Sequence, residues 1–204
     1  MYDFRDSEYN DIQRMVGLCH QTWSYVEVVI HSLFAVLNNR LPAQDGMYAS
    51  FAPDPLLASF AALRSFGSKL TMIDRYVEAS NLDRNTKDAW HSIRKKLEKS
   101  SQKRNEIAHF AFLKHWNGPV GVGKFKEIKL HPFSTPFSAG KDGLTSDQLF
   151  DRAIAFHNVS ARVGRFVDHL LISTGRQPLD PDSLRYPDHL LDPELYDPSG
   201  EPGH

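Results

Sequence analysis

The chain has a single cysteine, Cys19, in 204 residues. That excludes an internal disulfide and a cysteine-rich zinc site. Cys19 falls on an apolar stripe, as an inert core thiol does. No apolar run approaches the roughly 20 residues that span a bilayer. The opening residues Met1-Tyr2-Asp3-Phe4-Arg5-Asp6 are polar and acidic, unlike a signal peptide. The expectation is a cytoplasmic protein with no membrane partner. No His/Asp/Glu set has convincing metal spacing, so neither a metal nor a cofactor is expected. Gly121-x-Gly123-Lys124 lacks the full spacing of a phosphate loop, and no helix follows it.

Charge of one sign is lacking overall, since the formal net charge is −1. The distribution is uneven. From Pro178 onward there are seven acids and one base, which leaves 18 acids and 23 bases in the rest. The body is therefore about +5, compatible with a polyanionic partner without demanding one. The same tail holds half of the prolines and has little to bury. The domain expectation is a helical domain over 1–177 and a proline-rich acidic tail over 178–204. In one reading the tail covers a basic groove.

Proline and glycine are absent from Thr86 to Lys114, and good helix formers dominate there. Periodicity predicts a first helix from about Ser7 to Asn38, with Ile12, Met15, Cys19, Trp23, Val26, Ile30, Leu33 and Leu37 as its core stripe. Its middle is apolar on nearly every side, which a second copy of the chain would cover. His20, Ser24, Glu27 and His31 make a polar line along it. That line is a second wall of a site, a solvent strip, or the side of an intramolecular Glu–Arg pair. A second helix is predicted over Pro55–Ser80, capped by Asp54, with Gly67 and Ser68 allowing close helix approach or a mild kink. A third starts near Asn85 or Thr86 and continues to about Lys114. Val120–Pro132 reads as a small hairpin, placing Lys124, Lys126 and Lys129 after the third helix. Thr145 with Gln148 makes a capping box for a last helix reaching Thr174, stopped by Gly175. Short links favour antiparallel neighbours. The fold class expected is all-α, an antiparallel four-helix bundle with a β-hairpin insert between helices 3 and 4.

The third helix carries a stripe of Trp90, Ile93, Leu97, Ser100, Arg104, Ile107 and Ala111. Its ends are apolar but its middle is serine and arginine, and a buried guanidinium needs a partner or a wet cleft. Asn105 and His109 are four apart and share a helical face. Arg104 and His109 are five apart, about 140° around a helix, but arginine is long enough to reach the same phosphate-sized spot. Lys96, Lys99 and Lys103 add positive charge beside it.

Arg104-Asn105-Glu106-Ile107-Ala108-His109, late in a long helix, resembles the Rx4–6H motif of the HEPN domain family. Asn105 fits the polar residue common after the family's arginine. The resemblance covers roughly Glu8 to Thr174, but only the motif is specific. It implies a helical bundle, often a homodimer, and a metal-independent endoribonuclease. Arg104 would hold the scissile phosphate, His109 would serve as general acid or base for 2′-hydroxyl attack, and Asn105 would orient either. Lys103, Lys99 and Glu27 are the expected substrate-binding residues. RNA is the implied partner. A toxin or phage-defence role, with an antitoxin or regulatory protein, extends the same resemblance. Two other classes fit these residues: a non-catalytic HEPN-like module binding nucleotide, RNA or a protein partner, and a helical scaffold in which Arg104 and His109 are structural.

Overall fold

The computed structural model describes residues 7–39, 54–117, 124–132 and 143–176. The predicted tail over 178–204 and the glycine pair at 121 and 123 lie outside them. The described chain is mostly helical with one small sheet. In order it forms α1 (Ser7–Leu37), α2 (Pro55–Ala61), α3 (Phe66–Ala79), α4 (Arg84–Ala108), β1 (Phe110–Asn117), β2 (Lys124–Pro132) and α5 (Ser146–Ser173). Among the described residues no helix is long and apolar enough to cross a membrane.

α1 is the central element. Val26, Ile30, Leu33 and Phe34 are fully buried, and Val29 nearly so. Each such side chain contributes about 1.5–3 kcal/mol by leaving water. Other parts of the same chain cover this apolar run. Phe60 of α2 stacks on Phe34, ring centroids 4.0 Å apart, while Phe66 and Tyr76 of α3 meet Trp23 and Phe34 edge-on. Phe156 of α5 also meets Trp23 edge-on. Val28, 50% exposed, is the large apolar side chain that α1 leaves in solvent.

Three expectations need correction. The predicted second helix is two helices. Asp54 caps α2 with Pro55 as its first residue, as expected, but the helix stops at Ala61. Ser65 then starts α3 by accepting a hydrogen bond from the Ser68 N–H at 3.1 Å. The break lets Phe60 reach Phe34 and Phe66 reach Trp23, about three helical turns further back on α1.

The motif helix is also shorter than predicted. It begins at Asp83, whose carboxylate accepts from the Thr86 N–H, and ends at Ala108 with His109 as C-cap. Residues 110–117 leave the helix and pair antiparallel with β2, from Phe110 opposite Pro132 to Asn117 opposite Lys124, with a bulge at His115/Trp116. Phe110-Ala111-Phe112-Leu113 is continuous with the helical pattern, yet aromatic residues suit strands equally well. Pairing with β2 decides between them. β2 then buries Ile128, Leu130 and His131. Leu130 exchanges both backbone hydrogen bonds with Leu144 just before α5.

The helix directions are the third correction. Cys19 meets Leu149, Trp23 meets Phe156 and Asn39 meets Arg176. Residue numbers rise together, so α1 and α5 run parallel. The pairs Glu27–Lys69 and Phe34–Tyr76 make α3 parallel to α1 as well. α4 is antiparallel to both α3 and α5: Asp74 meets Trp90 and Glu78 meets Lys87, while Arg152 meets Glu106 and His169 meets Thr86. The short α2 returns the chain along α1, so α3 can start beside Trp23. An antiparallel four-helix order does not describe this arrangement. The capping box at Thr145 is present, and Gly175 at φ 74° closes α5, with the Arg176 N–H on the Leu171 carbonyl.

Candidate functional site

α4 turns Trp90, Leu97, Ser100 and Ile107 inward. Arg104 lies on that same stripe and is half-buried. Its Nη1 donates to Asn105 Oδ1 at 3.3 Å, a long bond. Its Nε is shielded from solvent and has no acceptor among the described residues. A shielded donor without an acceptor is a desolvation cost that the fold carries at this position.

The end of α4 is held by α5. Arg152 Nη1 donates to the Lys103 carbonyl at 3.0 Å, and its Nη2 lies 2.7 Å from the Glu106 carboxylate. One turn earlier on α5, the Leu149 carbonyl accepts from Cys19 Sγ at 3.1 Å. Burial pushes the Cys19 thiol up to about 12, and the positive charge of Arg152 only partly offsets it. These bonds set where α1, α4 and α5 meet. His20, the residue after Cys19, is exposed at that junction. Partial burial and then the charge of Arg104 hold its imidazole below the usual histidine range.

His109 is exposed at the C-cap, its backbone N–H bonded to the Asn105 carbonyl at 3.1 Å. That helical bond keeps Asn105 and His109 adjacent although the helix ends there. Lys99 and Lys103 are exposed, as is Lys96. None of the three makes an ion pair among the described residues. The structure thus brings Arg104, Asn105, His109, Lys103 and Lys99 to the last turns of one helix.

Glu27 belongs elsewhere. Its carboxylate accepts from Trp23 Nε1 at 2.9 Å and lies 3.6 Å from the ammonium of Lys69 on α3, a residue only 7% exposed. The intramolecular pairing alternative holds, with lysine in place of arginine, and Glu27 is committed to holding α1 against α3. The polar line along α1 therefore divides. Ser24 bonds to the His20 carbonyl. His31 bonds to the Glu27 carbonyl at 2.7 Å and packs edge-on to Phe60, and burial holds its pKa low. Of the four, it is His20 whose pKa the charge of the motif arginine also lowers. Arg152 was missed from sequence. Its signal was weak, a lone arginine between Leu149 and Ala153 on the core stripe of α5.

A groove of about 310 Å³ opens between α3 and α4, lined by Phe66, Gly67, Leu70, Glu98, Ser101 and Gln102. Among the described residues no three His, Cys, Asp or Glu side chains gather as a metal site. Comparison with protein-family models, with curated proteins and with solved structures finds no match.

Proposed function

We propose that this chain is an RNA-binding, HEPN-like endoribonuclease that cleaves by attack of the ribose 2′-hydroxyl. The observation that carries the reading is Arg104, a half-buried guanidinium on the core-facing stripe whose Nε has no acceptor among the described residues, in the same helical turns as exposed Lys99, Lys103 and His109. A phosphodiester would pair with the charge of that guanidinium. In-line displacement needs stabilisation of charge on phosphorus and proton transfer near neutral pH. Arg104 serves the first, and a histidine serves the second without a metal. Asn105, already bonded to Arg104, orients the guanidinium.

A homodimer belongs to the same proposal through the resemblance, and it would join two basic edges into one groove. A toxin or phage-defence role with an antitoxin rests on the resemblance alone. The second reading, a non-catalytic RNA-binding module, is favoured by the row Lys96, Lys99, Lys103 and Arg104, which can hold phosphates whether or not His109 acts.

The test incubates purified protein in EDTA with total RNA and a tRNA pool, beside Arg104→Ala and His109→Ala. Cleavage by the parent alone, leaving cyclic-phosphate ends, supports the nuclease. Salt-dependent RNA binding without cleavage moves the assignment to the binding module.

A further inference from the structure

We infer that RNA lies along a basic strip crossing from α4 to α5, its phosphates held by Lys96, Lys99 and Lys103 on one helix and by Arg162 and Arg165 on the other. The inference rests on the RNA reading and adds two arginines from outside the motif helix.

Three contacts fix the register of the two helices. His169 Nε2 lies 3.2 Å from Thr86 Oγ1, the Phe166 and Trp90 rings are 6.0 Å apart, and Arg152 Nη1 donates to the Lys103 carbonyl at 3.0 Å. Arg162 and Arg165 fall between these contacts. The antiparallel register sets Arg162 across from the turn that ends in Lys96, and Arg165 one turn nearer Thr86. Both are exposed, and with exposed Asn158 and His169 they follow at steps of three and four along one face of α5. His169 on that face touches α4, so the face borders α4. On α4, exposed Lys96 and Lys103 are two turns apart on one side, with exposed Lys99 beside them. The Lys103 carbonyl is where Arg152 of α5 reaches that side. The two stripes of charge run next to each other.

Nothing within the described chain answers these charges. Lys96, Lys99, Lys103, Arg162 and Arg165 make no ion pair among the described residues. Of the acids on α4, Asp88 pairs with Arg84, Glu98 with Arg94 and Glu106 with Arg152. On α5, Asp168 has an interaction of its own, and Asp147 and Asp151 precede Arg152, at the far end from Arg165. Like charges on adjacent turns repel, and a ligand with regularly repeated negative charge relieves that repulsion. A protein partner would want an apolar centre on the same face. The large apolar side chains left exposed among the described residues are Val28 on α1 and Ile172 past Arg165, and neither lies between Lys103 and Arg165. From Lys103 to the level of Arg165 the strip runs about 18 Å at the helical rise, room for about three to five phosphates of one strand. Its Lys103 end adjoins Arg104, Asn105 and His109, so a strand bound along it brings a phosphate to the motif.

The experiment follows fluorescence anisotropy of a 2′-O-methyl oligonucleotide, which cannot attack itself, bound by the full chain across a salt series. Arg162→Gln with Arg165→Gln should weaken binding about tenfold and lower the slope of log affinity against log salt by about 1.4, two phosphate contacts at about 0.7 each. Its melting temperature should be unchanged, because both side chains are exposed. Arg64→Gln with Arg75→Gln removes the same charge from exposed positions at and just before α3, and should change affinity by less than about twofold. Equal losses in the two double variants overturn the strip, since net charge alone would account for them. Loss in Lys99→Gln with Lys103→Gln but none in Arg162→Gln with Arg165→Gln overturns the strip and leaves the RNA reading standing. A parent that does not bind the oligonucleotide overturns both. Binding that depends on Arg162 and Arg165 in a chain that cleaves no RNA upholds the strip and overturns the nuclease.

Discussion

Arg152 on α5 lies 2.7 Å from the Glu106 carboxylate on α4 and also donates to the Lys103 carbonyl. Two guanidiniums therefore stand at the end of the motif helix in different states. Arg152 is only 15% exposed at its side chain and is engaged through both Nη nitrogens. Arg104 has a donor with no acceptor among the described residues. Arg152 holds α5 to α4, and Arg104 makes no such bond between helices among the described residues.

Arg152→Ala should destabilise the protein by about 2 kcal/mol, because it removes a charge-assisted bond to Glu106 and a second bond to the Lys103 carbonyl. Glu106→Gln should cost less, since the bond to the Lys103 carbonyl survives. Urea unfolding gives both values. Hydrogen exchange should quicken at Ile107–Phe110 in Arg152→Ala, where α4 hands over to β1.

Arg104→Met should behave oppositely. It replaces a half-buried, incompletely paired cation by an apolar side chain of similar length. Stability is expected to rise by about 0.5–2 kcal/mol while RNA affinity falls at least tenfold. Thermal melts paired with fluorescence anisotropy test this. A loss of stability equal to that of a core truncation would mark Arg104 as structural.

Glu27→Gln removes the counter-charge of Lys69, which is nearly buried. The carboxylate side of the pair is 38% exposed, so water screens it and the cost should be about 1–2 kcal/mol, below that of a fully buried pair. Adding Lys69→Met should recover most of the loss, since no buried charge is then left alone. RNA binding should be unchanged in both variants, which separates Glu27 from the motif.

Asp83 gives a pH-dependent contribution. Its carboxylate accepts from the Thr86 hydroxyl at 2.6 Å and from the Thr86 N–H at 3.0 Å. These bonds hold its pKa below the usual value. A folded pKa below the unfolded one means the stabilisation is full above the unfolded pKa and is lost as pH falls through the folded value. Asp83→Asn should therefore lower the melting temperature at pH 7. The gap to the parent should close in strong acid. A gap independent of pH would mean the carboxylate's charge plays no part in the cap.

Local signals were legible where one stretch of chain carries both the pattern and its stop. The Asp54 and Thr145 caps, the Gly175 stop and the core stripe of α1 need only neighbours a few residues away. The start of β1 was not legible. Residues 110–113 satisfy helical spacing and strand alternation alike, and the choice between them was made by β2, more than ten residues on. The break at Ala62–Ser65 was not legible, and one helix was expected through it, since the sequence alone does not show that Phe60 and Phe66 must reach different turns of α1.

For the site, the sequence by itself determined that Arg104 sits on the core-facing stripe of its helix, with Asn105, His109 and lysines in the same turns, because helical spacing places them. It also determined that Glu27 needs a partner. Tertiary structure alone decided what lies across from those residues. The parallel course of α1 and α5 sets Cys19 on the Leu149 carbonyl, the register of α5 on α4 engages Arg152 with Lys103 and Glu106, and α3 supplies Lys69 to Glu27. Each of these depends on contacts between residues tens of positions apart, set by how whole helices pack against one another.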